Sequence, residues 1–401
     1  MLSRKLINKN FQILAKSSYD FIETQNKKYI KRKRETDLHD AIAFKLHYTQ
    51  KNITQLMITD KINDFHKSST ERSCYVDRSK LIDEKLIFDY YEHLDNKINE
   101  LFYKKSNSYQ IIAVDGIKGN AYASTKNQSF KTTKGNDIFT FLSIGFFNVT
   151  HNDPCLLRAV EHKNERKAFI NNLTVNDNPT IYVTDRGFVD KKLFIKINDS
   201  HNYFICRIRN NSLIINNLIN EQIITDYDED LKYIRVINYK INDNEYHIIT
   251  NIPTIMYKFD DIINIYHKRW NIEEYFKFIK GNMKMESFKE RDWKSIQISV
   301  YMNFIVSKFT YLIFNLYYAK IKTQNRTVNK TYLTYKMYSD FFLKFIYNKK
   351  FSERYLIQFF KKAINIIVTH LNESNIRKSM YPHTKWYVKS HYNKHILEDI
   401  I

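Results

Sequence analysis

The stretch YHKRWNIEEYFKFIK, residues 266–280, determines how the rest of the sequence is interpreted. A helix advances about 100° per residue, which puts five polar or charged residues of this stretch within one narrow arc: Tyr266, Arg269, Glu273, Lys277 and Lys280. Apolar residues border the arc and form a stripe that can pack on a sheet: Ile265, Ile272, Phe276 and Ile279. The pattern predicts a docked helix that aims one carboxylate and three cations at a common site. The alternative is a solvated helix face with ordinary i,i+4 ion pairs.

Two aspartates follow strand-like runs earlier in the chain. The run YQIIAV, residues 109–114, is rich in β-branched residues and ends in Asp115, and the run TIYVT, residues 180–184, ends in Asp185. A carboxylate at the end of a buried strand lies at the rim of a sheet, where ligands commonly bind. Either aspartate alone could instead be a turn residue or a helix cap.

The remaining elements are predicted from hydrophobic periodicity. Further strands are predicted at residues 139–149, 154–160, 203–208, 234–241 and 246–251. Helices are predicted at residues 38–46, 52–62, 79–94, 164–173 and 259–285. The order of three strands, a helix and a strand, followed by further strands and a long helix, indicates an α/β fold.

These segments together resemble the IS4-type DDE transposases of insertion sequences. The family signature Y-x2-R-x3-E-x6-K is matched without a gap by Tyr266, Arg269, Glu273 and Lys280. A strand-end VDG and a strand-end TDRGF precede it in the family's order. The resemblance covers residues 105–290 well, the N-terminal helical region loosely, and the last hundred residues poorly.

The resemblance implies an α/β RNase H-like catalytic core, a mixed sheet flanked by helices, with a β-rich insertion and with helical N-terminal and C-terminal regions. The predicted organisation is a helical DNA-binding region at 1–105, a first part of the core with both aspartates at 106–200, the β-rich insertion at 201–255, the glutamate-bearing helix of the core at 256–295 and the helical C-terminal region at 296–401.

The resemblance also implies that Asp115, Asp185 and Glu273 are the catalytic residues and the ligands of two Mg²⁺ or Mn²⁺ ions. Three converging carboxylates would repel one another unless divalent cations bridged them, and oxygen ligands suit these ions. Such a pair of ions can cut a DNA strand and then join its 3′ end to target DNA. Four residues of the signature helix are predicted to contact DNA: Tyr266, Arg269, Lys277 and Lys280.

The composition is consistent with a partner that is a polyanion. The chain has 64 Lys and Arg against 43 Asp and Glu, a formal net charge of +21, and phosphate neutralisation is the usual role of such an excess. We therefore predict that the partners are the terminal repeats of an element and target DNA. A homodimer on DNA is expected from the resemblance, because two element ends must be handled together.

The sequence predicts a protein that stays inside a cell, associated with DNA at a nucleoid, nucleus or viral replication site. The N-terminus has no apolar run typical of a secretory signal, and no membrane span is predicted, because the most apolar stretch carries Lys308. The three cysteines are far apart in the sequence and fit neither a disulfide framework nor a zinc cluster: Cys74, Cys155 and Cys206.

Two other functions remain open at this point. One is a catalytically silent descendant that acts as a sequence-specific DNA-binding protein, and the other is an RNase H-like nuclease that cuts without joining. The route of cleavage is open as well. Relatives that form a hairpin stack an aromatic side chain on a flipped base, and because the β-rich insertion contains no tryptophan, Tyr246 or Tyr203 would have to take that role.

Overall fold

A computed structural model describes most of the chain up to residue 359. The described residues are 3–30, 35–50, 53–103, 109–122, 130–131, 137–160, 164–173, 179–209, 221–224, 229, 231, 233–241, 244–283, 285–290, 292–322, 330–347 and 351–359. The predicted helical C-terminal region beyond residue 359 lies outside them, and so do residues 31–34.

Five helices precede the sheet: α1 (Arg4–Tyr29), α2 (Leu38–Tyr48), α3 (Gln55–His66), α4 (Arg72–Ser79) and α5 (Glu84–Phe102). At α1, α2, α3 and α5 a polar side chain at the N-cap sets where the helix begins, since it accepts a hydrogen bond from an otherwise unpaired backbone N–H group. Thr54 caps α3 in this way, and Asp83 caps α5. The predicted start of the helix at 79–94 is therefore wrong, because the chain turns between Ser79 and Asp83 and α5 begins only at Glu84.

The central sheet contains the strands β1 (Gln110–Tyr122), β2 (Phe130–Lys131), β3 (Asp137–Asn148), β4 (Asp153–Val160), β5 (Thr180–Thr184) and β6 (Tyr203–Ile208). Helix α6 (Glu165–Asn171) lies between β4 and β5, and α7 (Lys191–Asp199) lies between β5 and β6. β3 pairs antiparallel with both β1 and β4, while β1, β5 and β6 run parallel to one another. This mixed sheet, with helices on both faces, confirms the predicted RNase H-like fold class.

The strands that follow extend the same sheet beyond β6. They are β7 (Glu221–Ile224), β8 (Ile234–Ile241) and β9 (Asn244–Thr250), all antiparallel. Their addition gives the strand order β2-β3-β1-β5-β6-β9-β8-β7. The predicted boundary at residue 200, between the core and the β-rich insertion, thus falls within a continuous sheet. The division into domains stays a prediction.

The second half of the chain is mainly helical among the described residues. It contains α8 (Phe259–Lys268), α9 (Trp270–Met283), β10 (Ser287–Phe288), α10 (Trp293–Lys322), α11 (Lys330–Lys336), a π-helical turn at Met337–Phe341 and α12 (Phe342–Tyr347). By length and composition, the segment Trp293–Leu316 of α10 could cross a membrane, but 94% of its most apolar window is buried inside the protein. In this structure α10 is a core helix.

Two sequence predictions about the catalytic segments are corrected by the structure. Asp115 does not end its strand, because the antiparallel pairing of β1 with β3 continues to Tyr122 and overrides the turn preference of Asp-Gly. The predicted single helix at 259–285 is two helices, α8 and α9, which meet at Arg269. Hydrogen bonds of the i,i+3 type tighten the backbone there, so residues 266–280 do not follow one continuous α-helical wheel.

A buried ion cluster joins three parts of the fold. Lys308 of α10 pairs with Asp95 of α5 at 2.5 Å and with Asp153 at the start of β4, and its side chain is only 3% exposed. Burial alone would lower the pKa of the Lys308 ammonium, but the two carboxylates outweigh it and the pKa lies well above its usual value. Lys308 therefore remains charged and holds the N-terminal helices and α10 to the sheet.

Replacing Lys308 by Met should lower the free energy of unfolding by about 3–5 kcal/mol, because two carboxylates would be left buried without a cation. The measurement is the unfolding midpoint in urea. Lys85→Met is the matched control: Lys85 forms an ion pair with Asp89 at 2.9 Å but is 79% exposed, and its loss should leave the midpoint nearly unchanged. Equal effects of the two substitutions would contradict the assigned role of Lys308.

Candidate active site

The parallel pairing of β1 and β5 places two aspartates side by side. Ala113 lies opposite Val183, and the same register carried two residues further sets Asp115 opposite Asp185. Neighbouring strands lie about 4.8 Å apart, so the two side chains start from adjacent positions. Because side chains alternate along a strand, both point toward the sheet face on which Ala113 and Val183 pack, and this is the face covered by α8 and α9.

A backbone hydrogen bond orients each aspartate. Asp115 Oδ1 accepts from the N–H of Gly116 at 2.8 Å, and Asp185 Oδ1 accepts from the N–H of Gly187 at 2.8 Å. The second of these bonds caps a short 3-10 helix at Arg186–Phe188. Asp185 is therefore a helix cap, as one interpretation of the sequence allowed. A carboxylate has two oxygens with several lone pairs, so capping leaves it able to bind a cation as well.

Glu273 lies in the first turn of α9 and is joined to the aspartates through Arg269. The Arg269 Nη2 donates to Glu273 Oε1 at 2.7 Å, and the two side chains are 12% and 28% exposed. The charge of Arg269 also acts on Asp115, where it favours the ionised carboxylate. Arg269 thus offsets part of the repulsion among the carboxylates. The structure brings Asp115, Asp185 and Arg269 together, and Arg269 links Glu273 to them.

A close approach between α9 and the sheet positions Glu273. Gly145 of β3 lies directly opposite Asp115 in the antiparallel pair. A Cβ atom at Gly145 would lie 2.7 Å from the ring of Phe276, one helical turn beyond Glu273, and that separation is too short for two carbon atoms. The missing side chain of Gly145 therefore makes room for Phe276, and this lets α9 pack close to the strand that carries Asp115.

The electrostatic environment of Asp115 disfavours its charged form. The pKa of Asp115 is raised to about 7, mainly by burial. The negative charges of Asp185 and Glu165 also raise it, while the hydrogen bond from Gly116 and the charge of Arg269 lower it. Shifts of this size are concentrated at functional sites. A bound divalent cation would favour the ionised carboxylate instead.

Glu165 is a fourth carboxylate at this site, and sequence reasoning missed it. It begins α6, and its side chain fills the space beside Gly116, where an added Cβ would lie 2.4 Å from Glu165 Oε1. Burial, and then the charge of Asp185, raise the pKa of Glu165. The sequence signal for Glu165 was weak, because an acidic residue in the first turn of a helix is ordinary. Its neighbour Gly116 also lies almost fifty positions earlier in the chain, so no local pattern connects the two residues.

Two of the four predicted DNA contacts are exposed lysines on α9. The Lys277 side chain is 49% exposed, pairs with Glu274, and lies 5.1 Å from the centre of the Trp270 ring. The Lys280 side chain is 38% exposed and pairs with Glu286 at 3.0 Å. Surface ion pairs of this kind contribute little stability, so both ammonium groups can exchange a carboxylate for a phosphate at small cost.

The other two predicted DNA contacts are much less exposed than the lysines: Tyr266 is buried, and the Arg269 side chain is 12% exposed. Tyr266 of α8 is only 5% exposed and packs in the core beneath the sheet. The guanidinium of Arg269 lies 5.8 Å from the centre of its ring, which places Tyr266 behind Arg269 and not beside it at the surface. That either residue touches DNA stays a prediction.

The donor set suits a hard divalent cation, although the carboxylates stand farther apart than the ligands of one ion. Oxygen atoms of Asp115, Asp185 and Glu273 are the ligands that Mg²⁺ and Mn²⁺ prefer. Among the described residues, the only group of three possible ligands with all its donor atoms within 4.8 Å of one another lies elsewhere, in the N-terminal helices. The ion pair between Arg269 and Glu273 would therefore have to open for Glu273 to join a shared ion.

Comparisons with known proteins identify the family of the chain. The family model described as "Transposase DDE domain" matches residues 107–307, which is half of the chain and includes all three carboxylates. The chain therefore belongs to the transposase DDE domain family, and the resemblance found in the signature helix is confirmed.

Individual relatives are more distant. The chain is 28% identical, over 153 residues, to a Synechocystis sp. protein described as a candidate transposase for insertion sequence element IS4SA. That match covers 36% of this chain and 44% of the relative. In the solved synaptic complex of piggyBac transposase with hairpin DNA, the protein chain is 10% identical and superimposes with a TM-score of 0.47, over 96% of this chain and 89% of that one.

Asp115→Asn should remove a pH-dependent loss of stability from the metal-free protein. Since the folded pKa of about 7 exceeds the unfolded value of about 3.9, protonated Asp115 stabilises the fold at low pH. This stabilisation is lost as the pH rises through 7, and the loss is up to about 4 kcal/mol.

The measurement is the unfolding midpoint in EDTA at about pH 5 and about pH 8. The parent should lose more stability over this interval than Asp115→Asn. An exposed control, Asp199→Asn, should behave like the parent. A pH response that is the same in all three proteins would show that Asp115 is not perturbed.

Proposed function

We propose that this protein is a DNA transposase that cleaves the ends of an insertion sequence and joins them to target DNA, with Asp115, Asp185 and Glu273 as ligands of two Mg²⁺ or Mn²⁺ ions. The observation that carries the proposal is the arrangement of two aspartates on adjacent parallel strands beside a glutamate-bearing helix, in a chain of the transposase DDE domain family. Because the chain covers less than half of its IS4-type relative, the activity is a proposal.

The proposed chemistry needs no covalent intermediate with the protein. Asp115, Asp185 and Glu273 would hold the ions, and bound ions would supply activation of a water or a 3′-hydroxyl and stabilisation of the leaving oxygen in an in-line displacement. The protein's part is to hold Asp115 and Asp185 in fixed register and to bring Glu273 to them on α9. Arg269 would hold Glu273 in place until the ions bind.

The two alternatives are less well supported. A silent DNA-binding descendant would have no need for a buried Asp115 beside Asp185, an arrangement that destabilises the fold when no metal is bound. A nuclease of the same fold would not need the signature segment 266–280, in which Lys277 and Lys280 follow Glu273. A strand-transfer assay separates these functions, because a silent protein gives no products and a nuclease gives cut ends without joined DNA.

An aromatic cluster near α8 favours Tyr246 over Tyr203 as the residue that would stack on an unpaired base. Tyr246 of β9 stacks on Tyr239 at 5.2 Å, and the guanidinium of Arg207 lies 4.6 Å from its ring centre. Tyr203 instead packs edge-on against Tyr109 at 5.6 Å. A stacked pair of rings with a cation beside it suits a nucleobase.

The proposed partners are the terminal repeats of the element and target DNA, and the proposed active form is a homodimer on DNA. The formal net charge of +21 supports a polyanionic partner. DNA at a nucleoid, nucleus or viral replication site is the proposed location. Sizing the protein with and without end-bearing DNA tests the homodimer, and a monomer bound to both ends would contradict it.

Changing Asp115, Asp185 or Glu273 to Ala should abolish metal-dependent cleavage of end DNA and leave DNA binding largely intact, because metal ligation and phosphate contact are separate roles. Cleavage is measured on a labelled strand, and binding by gel shift. Glu274→Ala is the matched control: Glu274 is the next residue of α9 but is exposed and pairs with Lys277, so cleavage should persist. Retained cleavage in any of the three variants would refute the assignment.

Lys277→Ala and Lys280→Ala should each reduce the slope of log affinity against log salt by about 0.9, since each removes one phosphate contact. Arg269→Ala should reduce cleavage more strongly while changing the slope less, because Arg269 is 12% exposed and pairs with Glu273. Fluorescence anisotropy over a salt series measures the slopes. If Arg269→Ala lowers the slope as the lysine variants do, Arg269 is a phosphate contact in the complex.

A further inference from the structure

A second group of possible metal ligands lies in the N-terminal helices, far along the chain from the proposed active site. Glu23 of α1 and Asp37, the N-cap of α2, face the ring of His39 in the first turn of α2. Their donor atoms all lie within 4.8 Å of one another. Sequence analysis did not single out these residues, because their spacing in the chain matches no common metal motif.

The distances fit a shared ion better than hydrogen bonds. His39 Nδ1 lies 3.4 Å from Asp37 Oδ2 and 3.7 Å from Glu23 Oε1. A charged N–H···O hydrogen bond is about 2.7–2.9 Å long. Ligands about 2.1 Å from a tetrahedral zinc ion are separated from one another by about 3.4 Å. The two distances from His39 are therefore close to the spacing that a tetrahedral ion would impose.

The imidazole is held in place and points into the group. His39 is 1% exposed, and its ring lies 4.6 Å from Tyr19 and 6.0 Å from Tyr347, between centroids. Its Nε2 is buried and has no hydrogen-bond partner among the described residues. The polar neighbours of this buried ring are two carboxylates, and both lie beyond normal hydrogen-bond length. The imidazole therefore lacks the hydrogen bonds that buried polar groups usually form.

The negative charges of Glu23 and Asp37 also favour a bound cation. Asp37 uses Oδ1 to accept from the N–H of Asp40 at 3.1 Å, which leaves Oδ2 for His39. Within the described part of the chain, neither Glu23 nor Asp37 forms an ion pair with Lys or Arg. The two carboxylates are 40% and 43% exposed, and a cavity of about 360 Å³ lined by Asp37 and His39 opens beside them, so an ion can enter from solvent.

We propose that Glu23, Asp37 and His39 bind a divalent transition-metal ion of the zinc type, with water as the fourth ligand. One imidazole and two carboxylates form a donor set that such ions accept. The ion joins the last turns of α1 to the first turn of α2.

Metal binding to the full chain tests this site directly. Asp115→Asn, Asp185→Asn and Glu273→Gln together remove the proposed catalytic ligands, so that the remaining binding reports on the N-terminal group whether or not the proposed transposase activity is correct. The metal-free protein is titrated with Co²⁺, whose visible absorption reports its ligands, and then with Zn²⁺ as a competitor. One equivalent of Co²⁺ should bind and be displaced by Zn²⁺.

Single substitutions in that background identify the ligands. Asp37→Asn retains a capping side chain but loses the carboxylate, and Glu23→Gln changes a residue that is 40% exposed. Both should weaken Zn²⁺ binding by at least about tenfold, as should His39→Gln. The control is His93→Gln, which removes a histidine of α5 that contacts Ser17 at 2.9 Å, and it should bind Zn²⁺ normally.

Thermal unfolding gives a second measurement for any variant that folds poorly. Zn²⁺ should raise the Tm of the background protein and of His93→Gln, because an ion that binds only the folded state stabilises it. The proposal is overturned if the background protein binds no Co²⁺ and its Tm does not respond to Zn²⁺. In that case the pairing of His39 with the two carboxylates alone accounts for the group. Unchanged binding after Asp37→Asn and Glu23→Gln overturns it equally.

Discussion

The parallel pairing of β1 with β5 is the constraint on which the proposed active site depends. Its register sets Asp115 opposite Asp185, so two negative charges share a partly buried rim. Burial and repulsion make this arrangement unfavourable without a cation, and Arg269 offsets only part of the cost through its ion pair with Glu273. Such an arrangement of carboxylates favours the binding of a ligand with a high positive charge.

The surrounding structure keeps this rim in place. Phe276 packs into the space left by Gly145 and brings α9 close to β1, while Glu165 fills the space beside Gly116. Lys308 ties α10 and the N-terminal helices to β4 through Asp95 and Asp153. Close packing of this kind resists small displacements, and a two-ion site needs carboxylates held within a fraction of an ångström.

Local sequence pattern predicted the strands well and the contacts between them poorly. The β-branched runs at 180–184, 203–208 and 234–241 gave the bounds of β5, β6 and β8 without error, because buried strands are nearly continuous apolar runs. The full length of β1 was missed, since it depends on pairing with β3. Glu165 and the group around His39 were missed because their neighbours are distant in the chain. Asp115, Asp185 and Glu273 could be predicted as site residues because each belongs to a short segment with its own pattern.

The central claim is that Asp115, Asp185 and Glu273 together ligate divalent ions. Crystals soaked in Mn²⁺ and measured at the manganese absorption edge test it most directly, since anomalous scattering locates the metal independently of any activity. The account predicts two peaks about 3.5–4 Å apart, both in contact with the aspartates and at least one with Glu273 after its ion pair with Arg269 has opened. Manganese bound elsewhere only, with these carboxylates free of metal, would contradict it.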